Sequence, residues 1–510
     1  MAQIKEAPAG AFCAIVSDIM MGGIDGFAFR DMVRGIDPVM PFFFLTALDP
    51  EEGSGFLKRI VEDPISYYLP KSASTDVLVN RVKRVAASRR IELFIDRQME
   101  DSRLAKTLAA HIQRSMLPPR SYMGDESFYA TWWRPLDVVS GDMYEVVPLG
   151  GGRWLYVLGD IQGHGASAAL AMTAVQAFMK QLASLADVEK STGPDVIANL
   201  LQGFFRDNMT DVSYMTALIC IHDPAKAEVK WISCGAPDPV ISDFDNPGLP
   251  DTSAGRKGGL PIGLVEGTVY TADDVVTWHM TPSSVIVAIT DGLFDLSRDK
   301  EGFEKIPVEV LRDMRHELIL EGRRRGAIAV AAHKYMKACE DLGYDKYQDD
   351  ASVLIFGQRL FLKGVYEASV LLTPTSIDEA AVKMSDWCRA QGWDETGIGL
   401  VQLVLEEKLM NIYDHGFDDR MRLKEVANLR LVKRSDGRAE LTVWDCGTPE
   451  PSIEVAGGDA ATAFQLKNKE MSNHGRGRLM IREICSGVAR SRCGILNETI
   501  YHIPMDAKER

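Results

Sequence analysis

Residues 156–172 read YVLGDIQGHGASAALAM: an apolar strand ending in Asp160, a turn carrying Gly163 and Gly165, and an alanine-rich helix. Glycines beside a helix start commonly cradle phosphate on open backbone N–H groups. A nucleotide loop of that kind also needs a lysine, and none stands here, so the strand-end aspartate is the group to explain. Three more aspartates occupy comparable places: Asp142 in VVSGDMYEV (138–146), Asp291 in VIVAITDGLFD (285–295) and Asp349 in YQDDASVLIF (347–356). Hard divalent cations prefer carboxylate, carbonyl and water oxygens. Two such ions about 4 Å apart can bridge a water, acidify it and aim it at phosphorus. Glycine next to these aspartates lets the backbone come close and lets the carbonyl of Ile161 serve as a ligand. Any one of the four, taken alone, reads as a cap or turn residue. Four in order, each fused to an apolar strand, read as a metal set: Asp142, Asp160, Asp291 and Asp349.

The surrounding chain is long enough, at 510 residues, for about three domains. Its net charge of −15 and lack of a long basic run argue against a nucleic-acid surface, which clusters Lys and Arg against phosphate. The eight cysteines form no CxxC pair and no metal-like grouping with histidine, so reduced, mostly buried thiols are expected. MAQIKEAPAGAFCAIV (1–16) has no basic region followed by a long apolar stretch, and no apolar run reaches the ~20 residues of a membrane span. A cytoplasmic protein without membrane partners is the expectation.

Outward from the aspartates the pattern changes three times. Residues 1–80 alternate short apolar strands with amphipathic stretches, which predicts a parallel α/β sheet. Residues 82–117 lack glycine and proline and repeat apolar residues at helical spacing (Ile91, Ile95, Met99, Leu104, Leu108, Ile112), which predicts one long helix within a linker, 81–118. That helix reads equally as half of a homodimeric pair or as a passive spacer. Residues 119–360 are strand-rich and interrupted by DFDNPGLPDTSAGRKGG (243–259), an expected exposed loop. Residues 365–510 bring three helices and five strands.

The aspartate motifs resemble the SpoIIE/RsbU-like branch of the metal-dependent protein phosphatases (protein phosphatase 2C fold). The resemblance is carried by Ser140-Gly141-Asp142-Met143-Tyr144-Glu145, by Gly159-Asp160 with Gly163-His164-Gly165, by Thr290-Asp291-Gly292 and by Asp349-Asp350. AAHIQRSMLPP (109–119), ISCGAPDPVI (232–241) and GLPIGL (259–264) extend it over 105–358. Ser140, Glu145 and the Ser233-Cys234-Gly235-Ala236 turn depart from the family pattern without removing a ligand. The resemblance implies a β-sandwich flanked by helices, two Mn²⁺ or Mg²⁺ ions, and hydrolysis of phosphoserine or phosphothreonine on a protein without a phosphoenzyme. His164 reads as a proton donor or as a turn residue bonded to backbone.

In the C-terminal region, LVLEEKLMNIYDHGF (403–417) places Glu407 and Asn411 on one helix face. LTVWDCGTPEP (441–451) puts Asp445 and Gly447 after a strand, and NHGRGRLMI (473–481) puts Gly475 and Gly477 before a helix. Together these suit ATP: Asp445 for the adenine amino group, Asn411 for Mg²⁺, and backbone N–H groups near Gly475 and Gly477 for phosphate. They resemble the GHKL ATPase fold in its anti-sigma-factor serine kinase form, which implies an α/β sandwich and Glu407 as general base on a serine hydroxyl. His474 and Arg478 depart from that pattern. A domain that binds a partner without phosphorylating it is the other reading.

IVSDIMMGGIDGF (15–27), FFFLTA (42–47) and YYLPKS (67–72) resemble a two-component receiver domain from its third strand onward. That implies Asp18 as phosphoacceptor, Thr46 as switch hydroxyl and Lys71 as the pairing lysine. Only 17 residues precede Asp18, so the first βαβ unit and its acidic pair are missing. Two readings stay open: a naturally truncated receiver, or a chain that starts late. The three resemblances imply a partner-switching regulator acting on a STAS-type anti-sigma-factor antagonist, with a sigma factor and a sensor histidine kinase or phosphotransfer protein as further partners. The alternative is a non-catalytic scaffold that sequesters its partner through the ATP-binding domain.

Overall fold

The computed structural model describes residues 3–4, 11–47, 60, 63–163, 165–186, 192–209, 214–243, 259–311, 322, 327–417, 424–449 and 476–505. The chain divides into two compact units, Met1–Ala105 and Lys106–Arg510. Among the described residues no helix is long and apolar enough to cross a membrane.

The first unit holds a parallel three-stranded sheet in the order β1 (Ile15–Asp18), β2 (Phe42–Thr46), β3 (Ser66–Pro70), with helix α1 (Gly26–Arg34) between the first two strands. Phe42, Phe43 and Phe44 are fully buried, so both faces of β2 are covered, as a parallel central strand requires. Asp25 caps α1 by accepting from the N–H of Ala28. Helix α2 is a single helix from Thr75 to Met116, so it begins seven residues before the start predicted from apolar spacing. Asp76 in the first turn suits the helix dipole, while Thr75, Val77, Val79 and Asn80 are weak helix formers that gave the extension no local signal.

In the second unit two five-stranded antiparallel sheets lie face to face. One has the order β10 (Val240–Asp243), β12 (Ser284–Ile289), β13 (Ala351–Gln358), β5 (Ser127–Arg134), β4 (Ser121–Met123). The other runs β11 (Val276–His279), β9 (Glu228–Cys234), β8 (Met215–Asp223), β7 (Trp154–Ile161), β6 (Asp142–Pro148). One continuous core joins inward residues of both sheets (Tyr156, Phe356, Leu158, Ala288) to α3 (Ala166–Ala186) and α4 (Pro194–Asn208) on the outside of the second sheet. A separate core seats α5 (Ala331–Asp341) on the outer face of the first sheet. The result is a four-layer helix–sheet–sheet–helix sandwich.

A third sheet follows, ordered β14 (Val365–Leu371), β15 (Val426–Lys433), β16 (Arg438–Asp445), β18 (Leu496–Pro504), β17 (Gly487–Cys493). Helices α6 (Pro374–Ala390), α7 (Glu395–His415) and α8 (Arg476–Ile484) share its core. Within this second unit, the sandwich and the third sheet meet through buried Asn428, whose Oδ1 accepts from Ser121 at 3.0 Å and from Ser369 at 2.7 Å. The architecture is the mixed α/β and α+β arrangement that the sequence predicted.

Candidate active site

The antiparallel pairing of β6 and β7 sets Asp142 opposite Asp160. The turn ahead of β6 is pressed onto the far end of β7. A Cβ on Gly141 would stand 2.8 Å from the Ile161 carbonyl oxygen and 3.0 Å from Asp160 Oδ1, so no larger residue fits there without a shift. Asp350, buried behind this turn, accepts from the N–H of Leu136 at 2.7 Å and of Gly141 at 2.6 Å. Asp291 opens a short 3₁₀ turn after β12, and Asp349 stands just before β13, the neighbouring strand. Gly292 lies so close to that strand that its Cβ would meet the Asp350 carbonyl oxygen at 1.8 Å.

The four predicted aspartates do not present themselves equally. Asp142 is buried, and its Oδ2 accepts from Thr290 Oγ1 at 2.8 Å and Ser352 Oγ at 2.6 Å, while Oδ1 takes no hydrogen bond among the described residues. Asp160 is half-buried; Asp291 and Asp349 are exposed. Burial, then the charges of Asp291, Asp349 and Asp350, push the Asp160 carboxyl up to about 7. Asp349 is raised as well, by desolvation in the cleft and by Asp350, Asp291 and Asp295. Burial and then Asp160 raise Asp142 strongly, against the two hydroxyl bonds that favour its charged form. Negative charge thus accumulates at one end of the two sheets, and among the described residues no basic side chain lowers these three carboxyls. Cations placed there would neutralise it, and the Ile161 carbonyl sits at the same turn, so the donor set fits Mg²⁺ or Mn²⁺. In this arrangement no three His, Cys, Asp or Glu side chains among the described residues converge tightly enough to grip an ion.

At the second predicted site, Glu407 Oε1 accepts from Asn411 Nδ2 at 3.0 Å on α7. Asp445 ends β16; its Oδ1 accepts from the N–H of Gly447 at 2.9 Å and from Asn497 Nδ2 at 2.9 Å. Among the described residues its buried Oδ2 has no hydrogen-bond partner, and Lys408 Nζ lies 3.6 Å away. An acceptor left open on a held carboxylate fits the amino group of adenine. Gly477 falls in the first turn of α8. Gly475 and His474 lie outside the described residues, as does His164 of the first site.

In the first unit, Asp18 and Thr46 end the neighbouring parallel strands β1 and β2, and Lys71 follows β3. Lys71 Nζ is 2.8 Å from Asp18 Oδ1, and the Lys71 N–H donates to the Thr46 carbonyl at 2.7 Å. The three residues therefore share the carboxyl end of a parallel sheet, the usual ligand-facing end of such sheets.

Three supports of the sandwich site carry no local motif that points to this role. Gln113, fully buried in the last turn of α2, donates through Nε2 to the Ser140 carbonyl at 2.5 Å and accepts from the Ser140 N–H at 3.1 Å. Trp133 Nε1 donates to the Asp142 carbonyl at 3.0 Å. The Thr290 and Ser352 hydroxyls hold the Asp142 side chain. Each partner lies far away in sequence or depends on strand register, so only a hydroxyl next to a strand-end aspartate, as at Thr290, offered a hint.

Comparison with known proteins divides the chain at the same change of architecture. Residues 150–359 match the family Stage II sporulation protein E (SpoIIE), and residues 370–497 match the histidine kinase-like ATPase domain. No curated protein matches the chain. Among solved structures it is similar to the RsbU and RsbW domains of a Mycobacterium tuberculosis protein, at 16% identity over 76% of this chain and 94% of that one, with a TM-score of 0.39. It is similar to the SiaA PP2C domain of Pseudomonas aeruginosa at 19% identity, over 52% of this chain and 98% of that one, with a TM-score of 0.40. The PP2C phosphatase domain and regulatory fragment of SpoIIE from Bacillus subtilis gives 18% identity, 46% and 64% coverage, and a TM-score of 0.36.

Proposed function

We propose that this chain, which carries a SpoIIE-type phosphatase domain and a histidine kinase-like ATPase domain, is a partner-switching enzyme that removes phosphate from a serine or threonine of a STAS-type anti-sigma-factor antagonist. The observation that carries the reading is the gathering of Asp142 opposite Asp160 across β6 and β7 with Asp291 and Asp349 at the ends of the neighbouring strands β12 and β13, where Asp291 and Asp349 help raise the Asp160 carboxyl. Asp160, Asp291, Asp349, Asp142 through Oδ1, and the Ile161 carbonyl would hold two Mn²⁺ or Mg²⁺ ions. Such ions, when bound, supply a water of lowered pKa and neutralise phosphoryl oxygen charge.

The chain's own residues fix the geometry. Thr290 and Ser352 orient Asp142, Asp350 pins the Gly141 turn by two N–H groups, and Gln113 holds the preceding peptide. Water attacks phosphorus in line, the P–O bond to the serine breaks, and the serine oxygen leaves with a proton. The carboxylates of Asp160, Asp291 and Asp349 make the cleft acidic, so a phosphate binds there only with its charge offset by cations.

The C-terminal domain would bind ATP, with Asp445 accepting the adenine amino group and Asn411 holding Mg²⁺. Glu407 would serve as base when the same antagonist is rephosphorylated, and a sigma factor is an alternative partner of that face. In the N-terminal unit, Asp18 would accept phosphate from a histidine kinase or phosphotransfer protein, with Thr46 and Lys71 reading the phosphorylated state. Exposed Ile91, Phe94, Ile95 and Met99 on α2 would pair two copies of the chain.

The deciding experiment incubates the chain with a serine-phosphorylated STAS protein from the same genome and follows phosphate release with and without Mn²⁺. Metal-dependent release that disappears in Asp291→Asn is the expected result. A folded chain that releases nothing with Mn²⁺, yet retains the STAS protein, would instead support a scaffold.

A further inference from the structure

A cavity of about 120 Å³ opens in the second unit where the last turn of α2, strands β5 and β6 and the segment leading into β15 meet. Arg114, Arg120 and Lys424 line it against one carboxylate, Glu425, so its wall carries an excess of positive charge. Lys424 is held by neutral groups, donating to the carbonyls of Leu117 at 3.0 Å and Met116 at 3.5 Å, the end of α2 where a cation is favoured. Arg120 is half-buried, yet among the described residues no group accepts a hydrogen bond from its guanidinium or lies within ion-pair distance of it. Cys446, Glu425 and Tyr144 act on it through the field. The half-buried guanidinium lines the cavity without a protein acceptor among the described residues, so its N–H donors are available to an anion that enters.

We propose that this cavity is a binding site for one tetrahedral oxyanion, a phosphate group, with Arg120 as its principal ligand and Arg114 and Lys424 supplying charge. The volume holds roughly four waters at liquid packing, which suits a phosphate and excludes a buried nucleoside. Arginine is the residue suited to such a ligand, since its planar fork matches two phosphate oxygens at once. Glu425 is the opposing group; it sits with the arginines and limits affinity. The occupant would lie against Trp133 and Tyr144, whose bonds to the Asp142 carbonyl and the Pro118 carbonyl, each 3.0 Å, tie this cavity to the back of the active-site strand. The site is distinct from the proposed metal cleft and from the ATP site, and it does not depend on either being active.

Equilibrium dialysis of the full chain with radiolabelled orthophosphate tests this, with EDTA present and ATP absent so that neither of the other sites retains phosphate through a metal. One saturable equivalent is expected, weakened about ten-fold or more in Arg120→Gln and partly restored in Arg120→Lys. Arg206→Gln, an exposed arginine elsewhere, and Asn411→Ala, in the ATP site, should bind like the parent. Should Arg120→Gln fail to fold, Glu425→Gln decides, because losing the opposing charge should tighten binding about three-fold or more. O-phosphoserine, a phosphomonoester without a nucleoside, separates the sources as competitor: displacement at the concentrations at which phosphate itself displaces assigns a phosphomonoester, and no displacement assigns free phosphate. Absence of saturable binding, a folded Arg120→Gln of parental affinity, or a Glu425→Gln of unchanged affinity each overturns the proposal.

Discussion

Gln113 bonds with both of its amide atoms to the backbone of one residue, accepting from the Ser140 N–H and donating to the Ser140 carbonyl. Replacing it with alanine leaves a buried N–H and a buried carbonyl without partners, which costs about 1–3 kcal/mol. The turn it frees carries Gly141 and Asp142, so Gln113→Ala should lower kcat about ten-fold or more with little change in KM, the pattern of lost positioning rather than lost substrate contact. Steady-state kinetics beside a thermal melt decides: an equal loss of Tm with unchanged kcat would reduce Gln113 to a packing residue. Glu145, two residues beyond Met143 on the same strand, makes a different prediction. It is 2% exposed, its Oε2 takes no hydrogen bond among the described residues, and burial outweighs Lys180 and Lys424 to push it up to about 7 from 4.5. A carboxyl with a raised folded pKa binds its proton more tightly in the fold than in the unfolded chain. Its contribution is therefore complete below pH 4.5 and lost as pH rises through about 7. Glu145→Gln should flatten that decline and gain on the order of 3 kcal/mol relative to the parent above pH 8. Parallel stability curves for the two proteins from pH 4.5 to pH 8 would show that the charge is solvated after all.

At the scale of elements, the 3₁₀ turn that Asp291 opens depends on contact between backbones. Gly292→Ala would drive a methyl to 1.8 Å from the Asp350 carbonyl oxygen, which must displace either the turn or β13. A loss of at least about 3 kcal/mol, together with loss of phosphatase turnover, is expected. A variant with a parental melt and full activity would mean that the turn relaxes freely. Such close approaches explain what could and could not be read along the chain. Within β7 and β12 the runs 155–158 and 285–289 are apolar and buried on both faces, and these announce themselves. Ser121–Met123, Val240–Asp243 and Val276–His279 are three or four residues long and lie at sheet edges, where pairing and not local pattern makes the strand. The same division runs through the candidate site. Strand-end aspartates beside glycines were legible as a group because each sits within its own motif. The hydroxyls on Asp142, the Asp350 brace and the Gln113 clamp were not, since their partners are brought up by sheet register and by a helix end.

For the molecule beyond its sites, the decisive contacts are those between the sandwich and the third sheet within Lys106–Arg510. Arg359 stands at the chain's passage from one to the other: its Nη1 donates to the Gly124 carbonyl and its Nη2 to the Glu367 carbonyl, each at 2.7 Å. Its own N–H donates to the Glu126 carbonyl at 2.8 Å, so the side chain is anchored at its base as well as its tip. Buried Asn428 adds a second tie through Ser121 and Ser369, and an apolar seam of Ala327, Val330, Trp444 and Leu496 a third. Charged donors to backbone carbonyls contribute about 1.5–3 kcal/mol each when both partners are held. Arg359→Ala should therefore weaken the junction more than either domain. The measurable consequence is in cooperativity: calorimetry should record one joint transition for sandwich and ATPase domain in the parent and two separated transitions in Arg359→Ala. Adding ATP with Mg²⁺ should then raise both together in the parent but only the ATPase transition in the variant, since ligand linkage passes only through an intact junction. If the variant still melts as one unit, Asn428 and the apolar seam hold the domains alone, and Arg359 serves only to finish the strand β13.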